Sequence, residues 1–464
     1  MVARATLGGR ERRTATAGRR RALTPSTLRR LHLEWLACVL AALGFATVLQ
    51  RTGALERIDL GLYDTVLRIG ARAASDEVLI VAIDASSLAN FGRWPWPRAR
   101  HAELLERLAE ARPRAVALDL MFVEPDTDPA ADVRLAQAMA RLREHTAVWL
   151  PVTAVTPLVE GRLAQALRPV PLLAQAASGL GHIHVELDAD AVARSLYLRE
   201  GTAAQMWPSL AGRLAGLPHG DGMPGADSAV AGWLRQSRQL IPFSGPAGHY
   251  RSVPYAALVR GEVAPQFLRD KLVLVGITAT GVGDHYPTPF SAAQGLVPGV
   301  EINAAALDGL LGGRMITPLQ ALTSSVLGAA LVLAWMTLLW RLGPRAGLAG
   351  LAAAMALGLA VSLVLQTALQ SWWPPASCLA AMLAGYMLWS WRRLAVLFAD
   401  LHRRAAQLGG APGATEQDGW QQVVVALDAA LEARRQRNDT LQLLSHDLRA
   451  PQSAILALLH SDAL

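Results

Sequence analysis

Cysteine and lysine are nearly absent from this chain of 464 residues. Cys38 and Cys378 both fall inside apolar segments, so no disulfide can stabilise the region between them, and no Cys/His spacing typical of zinc sites exists. Lys271 is the only lysine, and nine of the arginines lie within residues 1–30 against one glutamate. Because the whole chain carries a formal charge of +7, the remainder is close to neutral, at about −1. This distribution argues against nucleic-acid binding and favours a disordered basic tail, over residues 1–30, on the cytoplasmic side of a membrane.

Charged side chains are also missing from long stretches of the second half of the chain. No charge occurs in residues 315–340 or 346–391, and 52% of all residues are hydrophobic. A single helix over the second stretch would be about 69 Å long at about 1.5 Å per residue, which exceeds any bilayer. The Trp372-Trp-Pro-Pro375 sequence therefore predicts a break between two membrane spans.

Four transmembrane helices are predicted, over residues 31–55, 317–341, 346–370 and 374–392. For the first, a cleaved signal peptide is the alternative, although no clean small-residue cleavage site follows. The short loop with Arg341 and Arg345 is basic, the Trp-Trp-Pro-Pro loop is uncharged, and Arg392-Arg393 follow the last span. The positive-inside rule thus predicts cytoplasmic N- and C-termini and an outside location for residues 56–316.

Residues 56–316 have the pattern of one soluble α/β domain. Strands are predicted at 78–83, 115–120, 147–155, 182–187, 196–198, 240–243 and 272–277, with a helix over 101–110. Strands that alternate with helices indicate a mixed sheet covered by helices on at least one face.

Several polar and aromatic side chains of this domain could line a sensory pocket, since some of them follow predicted strands directly. They are Asp84, Trp94, Trp96, Arg98, Asp119, Glu124 and Asp284. The alternative, which the sequence favours, is that the tryptophans pack a loop and the acids cap turns, because no fixed spacing identifies a ligand.

His182, His184 and Glu186 alternate as on one face of a strand, which would allow a metal site. No other ligand in the sequence supports it, so no metal is predicted. The glycine-rich stretch from Gly276 to Gly283 lacks the phosphate-binding patterns and is interpreted as a turn.

A cytoplasmic helical linker is predicted over residues 393–440. A first helix ends near Leu408, and a glycine-rich break precedes a second helix near Asp418. Apolar residues then fall on a pattern of alternating three- and four-residue steps, with the polar Arg434 and Asn438 at its centre. The apolar members are Val424, Leu427, Leu431, Leu441, Leu448, Ile455 and Leu459. This seam predicts a coiled coil, with a homodimer as the simplest partner arrangement.

The stretch from Leu444 to Pro451 combines a histidine with an adjacent acid. A neutral imidazole at His446 is a nucleophile, and Asp447 can orient the ring or accept its proton during attack on a phosphoryl group. Pro451 removes a backbone donor and should bend the helix just past the reactive turn.

This stretch resembles the phospho-acceptor box of the sensor histidine kinases, Ser-His-Glu/Asp-Leu-Arg-x-Pro. The resemblance implies that residues 441–464 begin a dimerisation and phospho-acceptor domain and that His446 and Asp447 are the catalytic residues. It implies ATP and magnesium for the complete kinase, with no binding site for them in this chain, and a response regulator as partner.

A second resemblance covers most of residues 56–316, which look like the cyclase/histidine-kinase-associated sensory extracellular domain of the second type (CHASE, type two). The matching stretches, in order, are Ile83-Asp84, Gly92–Arg98, His101, Leu118–Pro125, Lys271–Gly276, Thr288–Phe290 and Pro298–Asn303. Such domains lie outside the membrane after one anchor helix and before three further spans, and they sense a signal that the sequence does not name.

The expected fold is therefore an α/β extracytoplasmic sensory domain, four transmembrane helices and a C-terminal helical segment, in the inner (plasma) membrane of a bacterium. The expected function is a transmembrane sensor histidine kinase of a two-component phosphorelay. A non-enzymatic receptor or scaffold is the alternative, and a receptor cyclase is disfavoured because the acceptor box occupies its position. Only 18 residues follow His446, so we expect a fragment or a truncated product, inactive alone because the nucleotide domain is missing.

Overall fold

The computed structural model describes residues 25–155, 164–218, 227–230 and 232–409. The helices are α1 (Pro25–Thr52), α2 (Glu56–Ile69), α3 (Ala85–Phe91), α4 (Arg98–Ala111), α5 (Pro129–Arg143), α6 (Pro171–Ala176), α7 (Leu210–Leu214), α8 (Tyr255–Val259), α9 (Ser291–Gln294), α10 (Gly299–Leu311), α11 (Ala321–Arg341), α12 (Pro344–Ala368) and α13 (Ala376–Gly409). The strands are β1 (Val78–Ile83), β2 (Ala115–Leu118), β3 (Ala147–Ala154), β4 (Ala166–Leu167), β5 (Gly179–His182), β6 (Glu186–Leu187), β7 (Ala193–Thr202), β8 (Gln205–Pro208), β9 (Ser228–Val230), β10 (Trp233–Leu240), β11 (Ser252–Pro254), β12 (Leu272–Ile277), β13 (His285–Tyr286), β14 (Val297–Pro298), β15 (Thr317–Pro318) and β16 (Ser371–Trp372).

Seven strands form the main sheet, in the order β11-β1-β12-β2-β3, with β4 and β5 both paired to β3. Every pair is parallel except β3 with β4. β1 and β12 have the predicted bounds, and they pair from Val78 opposite Leu272 to Ile83 opposite Ile277. Continuous apolar runs suit such central strands because both faces of a parallel sheet are covered. The α/β class predicted for this domain is therefore confirmed.

Each face of the main sheet has its own core, because alternate side chains of a strand point to opposite sides. Leu79, Val81 and Ile83 pack in a cluster with α4 and α5. Val78 and Ile80 pack on the other face, in a cluster with α10. Helices cover the main sheet on both sides.

A second sheet has the order β6-β7-β10-β9, with β8 paired to β7, and all its pairs are antiparallel. Two buried indoles, Trp207 and Trp233, stack there with ring centroids 5.9 Å apart. The Nε1 of Trp233 donates a hydrogen bond to the buried carboxylate of Glu200 at 2.8 Å. The sequence predicted strands in this region but not a separate sheet.

The single strand predicted over residues 182–187 is wrong. β5 ends at His182 in the main sheet, whereas Glu186 begins β6 in the second sheet. The chain crosses between the sheets at residues 183–185. An alternating pattern shows which side chains share a face, but it does not show which neighbouring strand supplies the hydrogen bonds.

Among the described residues, three helical segments are long and apolar enough to cross a membrane: Leu28–Thr52, Ala321–Arg341 and Ala346–Ala368. α13 is not one of them. Its uncharged stretch ends at Trp391, and two arginines follow.

The helix bounds differ from the predicted spans where the backbone turns. α1 ends at Thr52 instead of Leu55, because Gly53 adopts a φ of +63°, which favours glycine. α11 begins at Ala321 instead of residue 317, because Thr317 and Pro318 pair with Ser371 and Trp372 as β15 and β16.

The contacts divide the chain into two units. One comprises Leu43–Thr337 and Leu348–Met382, and it contains both sheets. The other comprises, among the described residues, those up to Ala42, Leu338–Gly347 and those from Leu383 onwards.

In the second of these units, aromatic and charged side chains join α1, α11 and α13. The ring of Trp340 lies 4.6 Å from that of His32 and 5.3 Å from that of Trp389, measured between centroids. Arg392 forms a two-pronged ion pair with Glu34, with N–O distances of 2.8 and 2.7 Å. This planar pairing holds the arginine more firmly than a single contact would.

Candidate functional site

A cavity of about 280 Å³ lies beside the carboxyl ends of β2 and β12. After β2 the chain continues to α5 on one face of the main sheet, and after β12 it continues to α10 on the other face. Ligands of open α/β sheets bind where neighbouring strands send their connections to opposite faces. The residues that line it include six with polar or aromatic side chains: Trp94, Arg98, Asp119, Asp284, Tyr286 and Asn303.

Asp119 lines the cavity and directly follows β2. Its backbone N–H donates to the carbonyl of Val275 at 2.7 Å, and its Oδ2 accepts a hydrogen bond from Nδ2 of Asn303 at 3.1 Å. Burial raises the pKa of Asp119 to about 6, the Asn303 hydrogen bond opposes that rise, and the charge of Asp284 adds to it. At neutral pH this carboxylate is therefore ionised, yet poorly solvated.

The loop after β12 brings Asp284 and Tyr286 to the same cavity. The pairing of β13 with β14 and a hydrogen bond from the Gly299 N–H to the Asp284 carbonyl, at 3.0 Å, fix this loop at the start of α10. Burial, together with the charges of Asp284 and Asp119, raises the pKa of Tyr286 to about 12. The phenol therefore stays protonated and can donate a hydrogen bond.

The close approach of α10 to β12 is what places Asn303 above the sheet. A Cβ built on Gly276 would lie 2.6 Å from the Cβ of Val300, so no other residue fits at position 276 without a shift of the helix. Asn303 follows one turn later and is only 6% exposed.

Trp94 and Arg98 also line the cavity. The guanidinium of Arg98 lies over the ring of Phe122, 4.5 Å from its centroid, and donates to the carbonyl of Glu124 at 3.0 Å. It also lies 3.6 Å from the carboxylate of Asp132. The positive charge of Arg98 is thus already balanced by a partner outside the cavity.

The other candidates for the pocket lie elsewhere. Asp84 caps α3, where its Oδ1 accepts from the Ser87 N–H at 2.8 Å. Trp96 is buried in the core, and its Nε1 donates to the Gly92 carbonyl at 3.0 Å. Glu124 contributes its backbone carbonyl to Arg98. The turn-capping and loop-packing interpretation thus describes Asp84 and Trp96, and the pocket interpretation describes Trp94, Arg98, Asp119 and Asp284.

His182, at the end of β5, and His184, in the crossing segment, do not assemble into a metal site with Glu186. Nδ1 of His184 lies 2.9 Å from Oε1 of Glu200, and Glu186 pairs with Arg235 at 3.0 Å. Within the described part of the chain, no group of three or more His, Cys, Asp or Glu side chains could hold a metal ion.

A buried charge cluster ties α2 to the second sheet, and the sequence analysis did not identify it. Arg194 on β7 is 2% exposed, and it bonds both carboxylate oxygens of Asp64 on α2, at 2.8 and 2.9 Å. It also bonds Asp188 at 3.0 Å and Asp190 at 2.8 Å. These charge-assisted bonds raise the pKa of Arg194, so it remains charged despite its burial.

Asn303 and Tyr286 are cavity residues that the sequence analysis also missed. A signal for Asn303 was present, because it is a single amide in a helix whose neighbours are apolar. Tyr286 has no such signal, since its place depends on the pairing of β13 with β14. His446 and Asp447, the predicted catalytic residues, lie outside the described residues.

Comparison with known proteins places the α/β domain in a family. The CHASE2 domain matches residues 38–341, which include the end of α1, both sheets and α11. No curated protein and no solved structure matches the chain. CHASE2 domains are sensory domains typical of signalling receptors. Because the match spans well over half of its length, the chain belongs to the CHASE2 domain family.

Proposed function

We propose that the chain is the sensory and phospho-acceptor part of a transmembrane histidine kinase in a two-component phosphorelay. The observation that carries the proposal is the order of two features along the chain. A CHASE2 domain over residues 38–341 is followed, after further apolar helices, by the sequence Ser445-His446-Asp447-Leu448-Arg449-Ala450-Pro451. In this arrangement the domain senses a signal, and the helices pass it to His446.

The proposed reaction transfers the γ-phosphoryl group of ATP to His446. An imidazole nitrogen attacks the γ-phosphorus, a phosphorus–nitrogen bond forms, and the bond to the bridging oxygen breaks so that ADP leaves. Asp447 orients the ring and accepts the proton that the imidazole loses. The phosphoryl group then passes to an aspartate carboxylate of a response regulator. A second copy of the chain pairs along the seam from Val424 to Leu459.

ATP and Mg²⁺ are assigned to a separate nucleotide domain of the complete kinase. The residues that the structure describes offer no cluster of three or more metal-binding side chains. What this chain contributes is the nucleophile, the base and the control of their position.

A fourth span, formed by the first half of α13, completes the proposed topology. The loop before α13 pairs with the α/β domain through β15 and β16, so α13 starts on the side where that domain lies. From Ala376 to Arg392 the helix extends about 24 Å at about 1.5 Å per residue, close to the thickness of the hydrocarbon core. The two arginines that end this stretch favour the cytoplasmic side. Both termini are then cytoplasmic, with the domain outside the inner membrane of a bacterium.

Several contacts connect α2 and the α/β domain to the first residue of α13 and to the loop before it. The N–H of Ala376 donates to Oδ1 of Asp59 at 2.7 Å, and the rings of Tyr63 and Trp372 meet edge to face with centroids 5.1 Å apart. The Thr317 N–H donates to the Gln370 carbonyl at 2.8 Å. A displacement of α2 against the sheets would therefore act directly on the helix that leads towards His446.

The test is phosphorylation of the full chain in membrane vesicles, with the nucleotide-binding domain of a histidine kinase added separately. ATP labelled at its γ-phosphate should give a product that is stable to alkali and labile to acid, as expected for phosphorus bound to nitrogen. His446→Gln should abolish the label. His460→Gln, which removes another histidine of the same segment, should leave it unchanged.

Label that persists in His446→Gln would contradict the assignment of the acceptor. Label with ATP alone would show a nucleotide site within this chain. The complete absence of label on the wild-type chain, in the presence of an active nucleotide domain, would favour a receptor or scaffold without kinase function.

A further inference from the structure

We propose that the cavity beside Asp119 binds a small organic ammonium compound, whose charged nitrogen lies against Asp119 and Asp284 and whose apolar part lies against Trp94. The inference deepens the proposed function by naming the chemical class of the signal. Binding can be measured without ATP, so the two proposals can fail separately.

The charge balance of the cavity calls for a cation. Two carboxylates, Asp119 and Asp284, line it. Arg98 is the one basic side chain among the described lining residues, and its guanidinium is already bound by the Glu124 carbonyl, the Phe122 ring and the Asp132 carboxylate. A ligand with a positive charge would offset the unfavourable burial of the Asp119 carboxylate.

Two oxygens without a partner in the protein are available to a bound donor. Asn303 is only 6% exposed, and its Nδ2 donates to Oδ2 of Asp119. Its Oδ1 and the second oxygen of Asp119 accept no hydrogen bond from the part of the chain that the structure describes. Neither oxygen is among the fully buried side-chain atoms that lack a partner, so both are open to the cavity that their residues line. An ammonium group has three N–H donors, which matches these two oxygens and the carboxylate of Asp284.

The walls distinguish an organic cation from a metal ion. Trp94 and Tyr286 present aromatic rings, and Ile277 and Val300 present apolar groups. Aromatic faces attract ammonium groups and pack against hydrocarbon. A calcium ion takes roughly six to eight oxygen ligands, and the described lining has no third carboxylate to contribute to them.

The volume limits the size of the compound. About 280 Å³ lies just below the range of roughly 300–1,000 Å³ that is usual for drug-sized ligands. An amine with one ring or a short chain fits this volume better than a nucleotide or a peptide does.

The experiment is calorimetric titration of the full chain, in lipid nanodiscs, with three probe amines: 2-phenylethylamine, benzylamine and butylamine. We expect at least one to bind, and its uncharged alcohol analogue to bind at least tenfold more weakly. Asp119→Asn should weaken amine binding at least tenfold, because it removes the charge but keeps the shape of the side chain. Asp76→Asn, at an exposed carboxylate paired with Arg251 outside the cavity, is the matched control and should not change it.

Equal affinity for the amine and its alcohol would overturn the inference, as would unchanged amine binding in Asp119→Asn. Stoichiometric binding of Ca²⁺ that depends on Asp119 would show a metal site instead. The absence of binding by all three amines would also overturn it. Loss of His446 labelling with amine binding intact would count against the kinase proposal alone.

Discussion

Replacing Arg194 by methionine is expected to cost the CHASE2 domain about 3–5 kcal/mol of stability, the usual effect of removing one partner from a buried ion pair. Domains of ordinary stability have only about 5–15 kcal/mol in total. We therefore expect the variant to unfold in part at physiological temperature, first where α2 meets the second sheet.

The reason is that methionine keeps the length and apolar stem of arginine but removes all its charge. In the wild-type chain, five hydrogen bonds join Arg194 to Asp64, Asp188 and Asp190. Without it, Asp64 loses both of its bonds to β7, and Asp188 keeps only its bond to Arg238. Three carboxylates of like charge then remain close together, and two of them, Asp64 and Asp188, have little contact with solvent. Such groups must take up protons or open the structure to water.

Hydrogen exchange at the amides of β7 and β10, on the full chain in nanodiscs, measures the free energy of this local opening. Arg238→Met is the matched control. Arg238 also bonds Asp188, at 2.8 Å, but its side chain is 40% exposed, so its removal should cost less than about 1 kcal/mol. Equal losses in the two variants would show that Arg194 does not hold α2 to the sheet.

Asp119→Asn is expected to stabilise the domain at neutral pH in the absence of ligand, by up to about 3 kcal/mol. Burial raises the pKa of Asp119 from 3.8 to about 6 in the folded state. Because the folded protein holds this proton more tightly than the unfolded chain, the contribution is most favourable below about pH 4 and is lost as the pH rises to about 6. The asparagine carries no proton to lose, and it can still accept the hydrogen bond from Asn303.

The measurement is the difference in opening free energy between Asp119→Asn and the wild type, from hydrogen exchange at β2 and β12, as a function of pH. The difference should rise between about pH 4 and about pH 6 and then remain level. Asp59, whose pKa burial also raises to about 6, titrates in both proteins and cancels in the difference. A difference that does not change with pH would mean that the Asp119 carboxyl is not held in a poorly solvated place.

When the replacement of a residue stabilises the fold, that residue is a candidate for ligand binding, because stability does not explain why the protein retains it. This argument applies to Asp119. The expected gain in stability also makes Asp119→Asn informative in the calorimetric titration with amines. If the variant is more stable and still does not bind an amine, the loss of binding cannot be due to unfolding.

The parts of the fold that could be predicted from sequence are those in which the local pattern decides the structure. β1 and β12 are uninterrupted runs of apolar, mostly branched residues, and such runs in a parallel sheet are buried on both faces wherever the strands pair. The second sheet was missed because its strands carry Arg194, Arg199 and Glu200. Charged residues inside a strand suggest exposure. The burial of Arg194 depends on its bonds to three aspartates, and that of Glu200 depends on its bonds to His184 and Trp233.

The residues of the candidate site could also be predicted from the sequence only in part. Asp119 could be identified because it nearly ends a predicted strand, and the carboxyl ends of parallel strands gather at one edge. Asp84 follows a strand as well, yet it caps α3. Trp94 and Trp96 are two residues apart in one loop, yet one lines the cavity and the other fills the core. The local sequence does not distinguish the two tryptophans, because the orientation of each ring depends on the space that α4 and α8 leave unfilled. Tyr286 likewise depends on a strand pairing between residues distant in sequence.

The central claim is that one protein has its CHASE2 domain outside the membrane and its acceptor histidine inside. Fusions of alkaline phosphatase, an enzyme active only outside the cytoplasmic membrane, test it directly. A fusion after Ala131, within the domain, should be active, and a fusion after Arg404, beyond the proposed fourth span, should be inactive. Activity after Arg404 would mean that α13 does not cross the membrane, and inactivity after Ala131 with activity after Arg404 would contradict the whole arrangement.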